Sequence, residues 1–446
     1  MSPPEAVPDR APPEALEQET IRRVAWRLLP LLMLGYFCAY LDRVNVGFAG
    51  LTMNKALGFS EAVFGFGSGI FFVGYFLFEL PSNLVLNRVG ARRWIARILL
   101  TWGIISGLTA FVWNEWSFYG VRFLLGLAEA GFYPGVVLYL TWWFPSRYRS
   151  RMMAFFQSAS VISLIIGPIL SGQLLRLAGW GGLTGWQWLF VVEAIPPIVM
   201  SVVVLLLLTD RPLHALWLRQ EQRQWLAQRI DAEQAQRETV HRFALGEALQ
   251  NNRVWWLTLV YFGQNVSNYG LLIFLPEIIK AFGVGYGMTG LLSALPFVFA
   301  AVAMIVWGWH SDRTGERTWH VAAACFLTAA GLAACMLLQG RPALMMVALI
   351  VAAMGQQSIA PTFWSLPTAM LSGTAAAGGI ALINSVGNLG GFAGPYAFGL
   401  IRDASGSNAI PLLALAAAPV VSGIVVAVLG HDRRLERIPE RTAHAR

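Results

Sequence analysis

The chain has 446 residues, 56% of them hydrophobic and only 13% charged, with a formal net charge of +8. Soluble domains carry about 25% charged residues, so no water-soluble core could absorb this much apolar surface, and the class left is a helical protein crossing a bilayer many times. The basic residues sit in short loops and form no patch interleaved with aromatics, which argues against a nucleic-acid partner.

Residues 1–20 are rich in Pro and Glu and read as a disordered cytoplasmic tail. They lack the basic start and short apolar core of a cleaved signal peptide. Twelve apolar runs of about 18–25 residues, long enough to span, then fall near 27–50, 61–84, 94–113, 117–141, 152–176, 186–208, 253–275, 288–309, 319–339, 342–366, 375–400 and 410–430. The expected layout is a first six-helix bundle over 21–208, a cytoplasmic linker over 209–252, a second bundle over 253–430 and a tail over 431–446. Within the linker, Leu218, Trp225, Leu226 and Ile230 recur at helical spacing, which predicts an amphipathic helix on the membrane surface. Cys38, Cys325 and Cys335 lie in apolar runs without metal-ligand spacing and read as small core residues; no metal and no cofactor is expected.

Loop charge sets the orientation. Arg88, Arg92, Arg93 and Arg97 follow the second run, Arg147, Arg149 and Arg151 the fourth, and Arg313 and Arg317 the eighth, whereas alternate loops are poor in base. Both termini should therefore be cytoplasmic, in a cell inner membrane. The segments "NLVLNRVGARR" (83–93) and "GWHSDRTGERT" (308–318) share one frame, each just after the second helix of its half. Duplicated halves with a site between them are a transporter architecture.

That frame resembles the loop signature of the major facilitator superfamily, Gly-x-x-x-Asp-Arg-x-Gly-Arg-Arg. Gly308, Asp312, Arg313, Gly315 and Arg317 match it, while Asn83 and Asn87 replace Gly and Asp in the first copy. Together with Glu79 and Arg88, Asp312 and Arg313 would latch neighbouring helix ends as a conformational gate. "YLDRVNVGFA" (40–49), "GYFLFELPSN" (74–83), "RFLLGLAEAGFYPG" (122–135) and "GWQWLFVVEA" (185–194) further resemble the anion:cation symporter family, whose members take up organic anions such as tartrate, sugar acids and phthalate. The resemblance implies the all-α major facilitator fold of two six-helix pseudo-repeats, proton-coupled uptake of a small organic anion, and no enzyme activity. It also places coupling and anion binding at Asp42, Arg43, Arg122 and Glu129.

The residues themselves support those four positions. An ionisable group at the bilayer centre costs roughly 2.5–3.5 kcal/mol on insertion scales. Asp42 and Arg43 are adjacent, about 100° apart around a helix, so each needs its own partner. Arg122 and Glu129, two turns apart on the fourth helix, can supply them. The plainer alternative is a pair of structural salt bridges. In the functional reading, Arg43 and Arg122 hold a carboxylate, because guanidinium stays charged at any pH, and Asp42 and Glu129 exchange protons. Tyr40 and Tyr75 complete that side of the pocket, with packing the alternative for Tyr75. Glu193, in the sixth helix, reads as structural or gating. The second half offers neutral groups (Gln264, Asn268, Ser365, Asn384 and Asn388) suited to hydroxyl and carboxylate oxygens. They favour a hydroxylated, tartrate-like or sugar-acid substrate. Interhelical hydrogen bonding is the alternative for Asn384 and Asn388.

Three other segments are weighed against this. Asn265-Val266-Ser267 fits a glycosylation sequon inside a span, and "GNLGGFAGP" (387–395) reads as close helix packing. "SLIIGPILSG" (163–172) partly matches an antiporter element, with Ser163 and Ser171 in place of glycines, so proton-driven export stays open as the alternative, as does uptake of an aromatic carboxylate. The expected partners are the substrate anion, protons and lipid, with the chain a monomer.

Overall fold

The computed structural model describes residues 14–238, 249–370 and 374–430. The expected tails and the middle of the linker lie partly outside them, at 1–13, 239–248 and 431–446. In hydrocarbon no water can satisfy backbone N–H and C=O groups, so long apolar runs are driven into helices that bond internally. The first half contains α1 (Glu14–Leu57), α2 (Glu61–Val89), α3 (Ala91–Leu108), α4 (Glu115–Glu129), α5 (Phe132–Thr141), α6 (Ser146–Leu174) and α7 (Gly185–Leu207). After α8 (Gln220–Glu238) come α9 (Asn252–Lys280), α10 (Tyr286–Thr314), α11 (Thr318–Leu337), α12 (Pro342–Phe363), α13 (Ser365–Met370), α14 (Thr374–Asn388), α15 (Gly390–Ser405) and α16 (Ala409–Leu429). Among the described residues, ten spans are apolar and long enough to cross a membrane. With α9 and the broken α14–α15 pair they make a twelve-crossing, all-α architecture.

Local sequence explains where the helices start. Ser60 caps α2 by accepting from the Val63 amide, and Asn114 with Ser117 forms a reciprocal capping box on α4. At the other end of the chain, α1 begins at Glu14, inside the stretch expected to be a tail. Glu14 and Glu17 favour its first turn, Tyr148 donates to Glu17 over 2.9 Å, and Thr20 is buried.

Two expectations about continuity change. The fourth crossing is two helices, α4 and α5, because Gly131 adopts φ +87°, a left-handed conformation that favours glycine. The eleventh breaks between α14 and α15. The helix expected in the linker forms as α8, and the segment it belongs to packs on the end of the first bundle. Leu218, Leu226 and Ile230 are buried, Glu233 accepts from the Ser146 amide over 2.9 Å, and Arg219 pairs with Glu19.

A Cβ at Gly131 would come within 2.2 Å of Ser82 Oγ as well as being strained. Gly131→Ala is therefore expected to destabilise the first bundle by at least the 1–2 kcal/mol of a left-handed non-glycine residue. A lowered melting temperature in detergent checks this; an unchanged one would mean the break relaxes into a continuous helix.

The bundles meet through α1 with α9, α2 with α15, and α6 with α10. At the end away from the termini the approach is backbone to backbone. A Cβ added at Gly399 would lie 2.1 Å from the Glu61 carbonyl oxygen, at Gly65 2.3 Å from that of Pro395, and at Gly290 2.3 Å from that of Pro168. Only glycine permits such contact. Among the described residues, no glycine at the terminus end makes an equally close approach between the bundles. The glycine-rich 387–395 stretch packs as expected, with Gly390 and Gly394 against the α9 backbone.

Candidate substrate and coupling site

The intramembrane charges gather where α1, α2 and α4 face α9. Arg43 donates to Glu129 over 2.7 Å and to the Tyr269 hydroxyl, on the second bundle, over 3.2 Å. Its guanidinium also lies 5.0 Å from the Tyr40 ring and 5.8 Å from each of the Phe71 and Tyr75 rings. Glu129 is the last residue of α4, at the break before Gly131. Discontinuous helices of this kind line transporter sites, where irregular backbone is tolerated only against protein or a cavity.

Arg122 is the exception in this arrangement. It is 3% exposed and lies 5.3 Å from the Phe71 ring, so one aromatic serves both guanidiniums. Its hydrogen-bond partner is the Ser68 backbone carbonyl at 3.3 Å, and its Nε has none. Among the described residues no carboxylate lies within 4.0 Å of it. Glu129 likewise keeps one oxygen without a donor. Asp42 and Glu129 act on Arg122 only from beyond pairing distance, and a buried charge without a direct partner is costly; here a guanidinium nitrogen and a carboxylate oxygen both lack one.

Asp42 does not pair with Arg122, as a set of two acid–base pairs would require. It accepts from Asn45 over 2.9 Å, from Ser106 over 2.8 Å and from the Trp102 indole N–H. Facing α3, it is turned away from Arg43 as the 100° step demands. Trp102 and Ser106 are one turn apart on α3, in a run that reads only as apolar.

The other expected residues disperse. Tyr75 is buried beside Arg43. Gln264 is buried with its side-chain oxygen unpaired, and its backbone carbonyl accepts from Gln356 over 3.2 Å. Asn268 and Asn388 are half-buried on α9 and α14. Asn384 and Ser385 donate to Glu79 over 3.0 and 3.2 Å, tying α14 to α2 across the bundles. Ser365 donates to the Thr362 carbonyl of its own segment over 2.6 Å. In the signature loop, Asp312 pairs with Arg317 over 2.9 Å, Arg313 sits 5.4 Å from the Trp309 ring, and Arg88 is exposed.

A second ionic group, missed from sequence, joins the bundles at the end away from the termini. Arg402 pairs with Glu277 and lies 3.6 Å from Glu61, while Asp403 accepts from the Glu61 and Ala62 amides over 3.0 and 2.8 Å. The signal was available: Arg402 and Asp403 are adjacent charges at the end of an apolar run. An apolar recess of about 460 Å³ between α11 and α16, lined by Phe326, Ala329, Leu413 and Val420, is remote from all of these charges.

The Major Facilitator Superfamily profile matches residues 32–395 and, a second time, 257–444. A protein of Agrobacterium vitis named as a tartrate transporter is 51% identical over 431 residues, 96% of this chain and 95% of its own. A quinolone resistance transporter of Acinetobacter baumannii is 40% identical over 96% of this chain and 98% of its own. The xylose transporter of E. coli, in a partially occluded inward-open conformation, superposes with a TM-score of 0.74 at 15% identity, covering 92% of this chain and 99% of that one.

Proposed function

Since the chain belongs to the major facilitator superfamily and is a multi-pass membrane transporter, we propose that it imports a small organic anion together with protons, a tartrate-like hydroxycarboxylate being the favoured substrate. The observation that carries this reading is Arg122, a buried guanidinium with no carboxylate within 4.0 Å among the described residues, beside the Arg43–Glu129 pair. A substrate carboxylate would supply the missing anion. Guanidinium suits the task because its fork of donors matches a carboxylate and its charge is permanent.

Coupling follows from competition at Arg43. While Glu129 is ionised it holds Arg43 at 2.7 Å; a proton on Glu129 would free Arg43 for substrate, so proton and anion favour one another. Asp42, held by neutral donors on α3, exchanges its proton without touching the anion. Gln264, Asn268 and Asn388 supply neutral donors and acceptors for substrate hydroxyls, and Asn384 joins them when it leaves Glu79. The tight glycine contacts at one end, and their lack at the other among the described residues, support a conformation closed outward and open to the cytoplasm. That reading places both termini in the cytoplasm of a cell with the protein in its inner membrane.

Uptake of a panel of carboxylates into vesicles, with and without a pH gradient, tests the proposal. Gradient-driven accumulation of tartrate or a related hydroxy acid is expected, and accumulation indifferent to the gradient would remove proton coupling. Export is a second reading, favoured by the relative named for quinolone resistance; gradient-driven loss of tartrate from loaded vesicles would select it.

Alternating access requires the far-end contacts to separate. Arg402→Gln leaves Glu61, Glu277 and Asp403 facing one another without their cation, and like charges at this range repel. A cysteine placed near Gly65 should then react several-fold faster with an impermeant thiol reagent. The native cysteines are all buried, so background labelling is low. An unchanged rate would show that the glycine contacts alone hold that end shut.

A further inference from the structure

A second buried acid lies behind Asp42, outside the machinery described above. Glu193, on α7, is 1% exposed and accepts from Ser171 on α6 over 2.9 Å. Its other oxygen, Oε2, has no donor. Among the described residues no Lys, Arg or His lies within 4.0 Å of it. The titratable groups that face it are Asp42 and Cys38 of α1; α6 presents Ser171, and α3 presents Trp102 and Ser106 to Asp42. Asp42 in turn acts electrostatically on Arg122 of α4.

Asn45 stands between the two acids. Its Nδ2 donates to Asp42 over 2.9 Å, and its side chain neighbours Glu193 where α1 packs on α7. Its own Oδ1 is buried and has no partner. Two orphaned acceptors, Glu193 Oε2 and Asn45 Oδ1, thus share one apolar site. One proton resolves both, since a protonated Glu193 can donate from Oε2 to Asn45 Oδ1. The amide is then fixed with Nδ2 toward Asp42, whose carboxylate gains its third donor. Turning the amide over would instead set Oδ1 against Asp42, acceptor on acceptor.

We propose that Glu193 holds a proton in the resting transporter and, through Asn45, positions the donor that keeps Asp42 ready to exchange its own. The place of this triad in coupling rests on the reading of Asp42 given above; the proton on Glu193 does not. Glu193 is a positioning residue, because it acts on Asp42 only through Asn45.

Infrared spectra of the purified full-length protein at neutral pH test the first part. A protonated-carboxyl C=O band is expected that disappears in Glu193→Gln and survives in Asp42→Asn. A wild-type spectrum without that band, or a band untouched by Glu193→Gln, overturns the proposal. The pH profile of tartrate exchange tests the second part. Glutamine can still donate to Asn45 Oδ1, so Glu193→Gln should keep the wild-type profile. Glu193→Leu should displace it by about one pH unit, the size of one lost hydrogen bond to a charged group. A displacement as large in Glu193→Gln as in Glu193→Leu, or none in Glu193→Leu, overturns the positioning role. If Asp42→Asn keeps gradient-driven accumulation while the Glu193 band stands, it is the coupling role of Asp42 that fails.

Discussion

Arg122→Ala is expected to abolish substrate binding while leaving a folded protein. Arg43 is already engaged by Glu129 at 2.7 Å and Tyr269 at 3.2 Å, whereas Arg122 makes one side-chain hydrogen bond, to the Ser68 carbonyl. Its removal therefore takes little from the unliganded structure and a charged hydrogen bond from the complex. Losing one partner of a buried charge pair costs about 2–5 kcal/mol, which is roughly thirtyfold or more in Kd. Arg122→Lys keeps the charge but not the fork and should fall between. The measurement is equilibrium binding of tartrate to purified protein, with the melting temperature as a control for folding. Normal affinity in a folded Arg122→Ala protein would show that this guanidinium serves packing against Phe71 and Ser68, and the anion site would have to be sought elsewhere.

How much of this was legible beforehand depends on the range of the contact. The spans and the buried cysteines follow from composition and period, which are local, and the duplicated halves from one frame that recurs in both. Arg43 with Glu129 was legible too, because few groups at that depth could neutralise one another. The partners of Asp42 were not. Trp102 and Ser106 lie 60 and 64 residues away, on a helix whose sequence signals only burial. The same holds for Ser171: as a departure from a glycine motif it reads as a loss, yet its hydroxyl holds Glu193. Asn384 was legible as polar but not as the ligand of Glu79, 305 residues away. The break at Gly131 sat in plain view among the glycines of the fourth span, but only its φ of +87° separates a helix-opening glycine from a helix-ending one.

Asp42→Asn and Glu129→Gln are expected to remove gradient-driven accumulation for different reasons, and their binding should tell them apart. Each mimics a protonated acid, so neither can shed a proton during the cycle. Glu129 touches Arg43 directly. Glutamine there replaces the ion pair with a weaker hydrogen bond from the guanidinium to a neutral amide oxygen and releases Arg43 to the substrate, so tartrate affinity should rise several-fold while exchange persists. Asp42 touches no arginine among the described residues; its donors are Asn45, Trp102 and Ser106. Asparagine there turns an N–H toward those donors, which should cost about 1–3 kcal/mol of stability and leave tartrate affinity within a few-fold of wild type. Uptake with and without a pH gradient, exchange between preloaded and external substrate, and binding to purified protein together separate the cases. Accumulation retained in both variants would take the proton step away from these acids altogether. Accumulation lost in both, with affinity raised in Asp42→Asn as much as in Glu129→Gln, would mean that Asp42 also restrains an arginine in some state of the cycle, and the division between an anion site facing α9 and a proton site facing α3 would have to be redrawn.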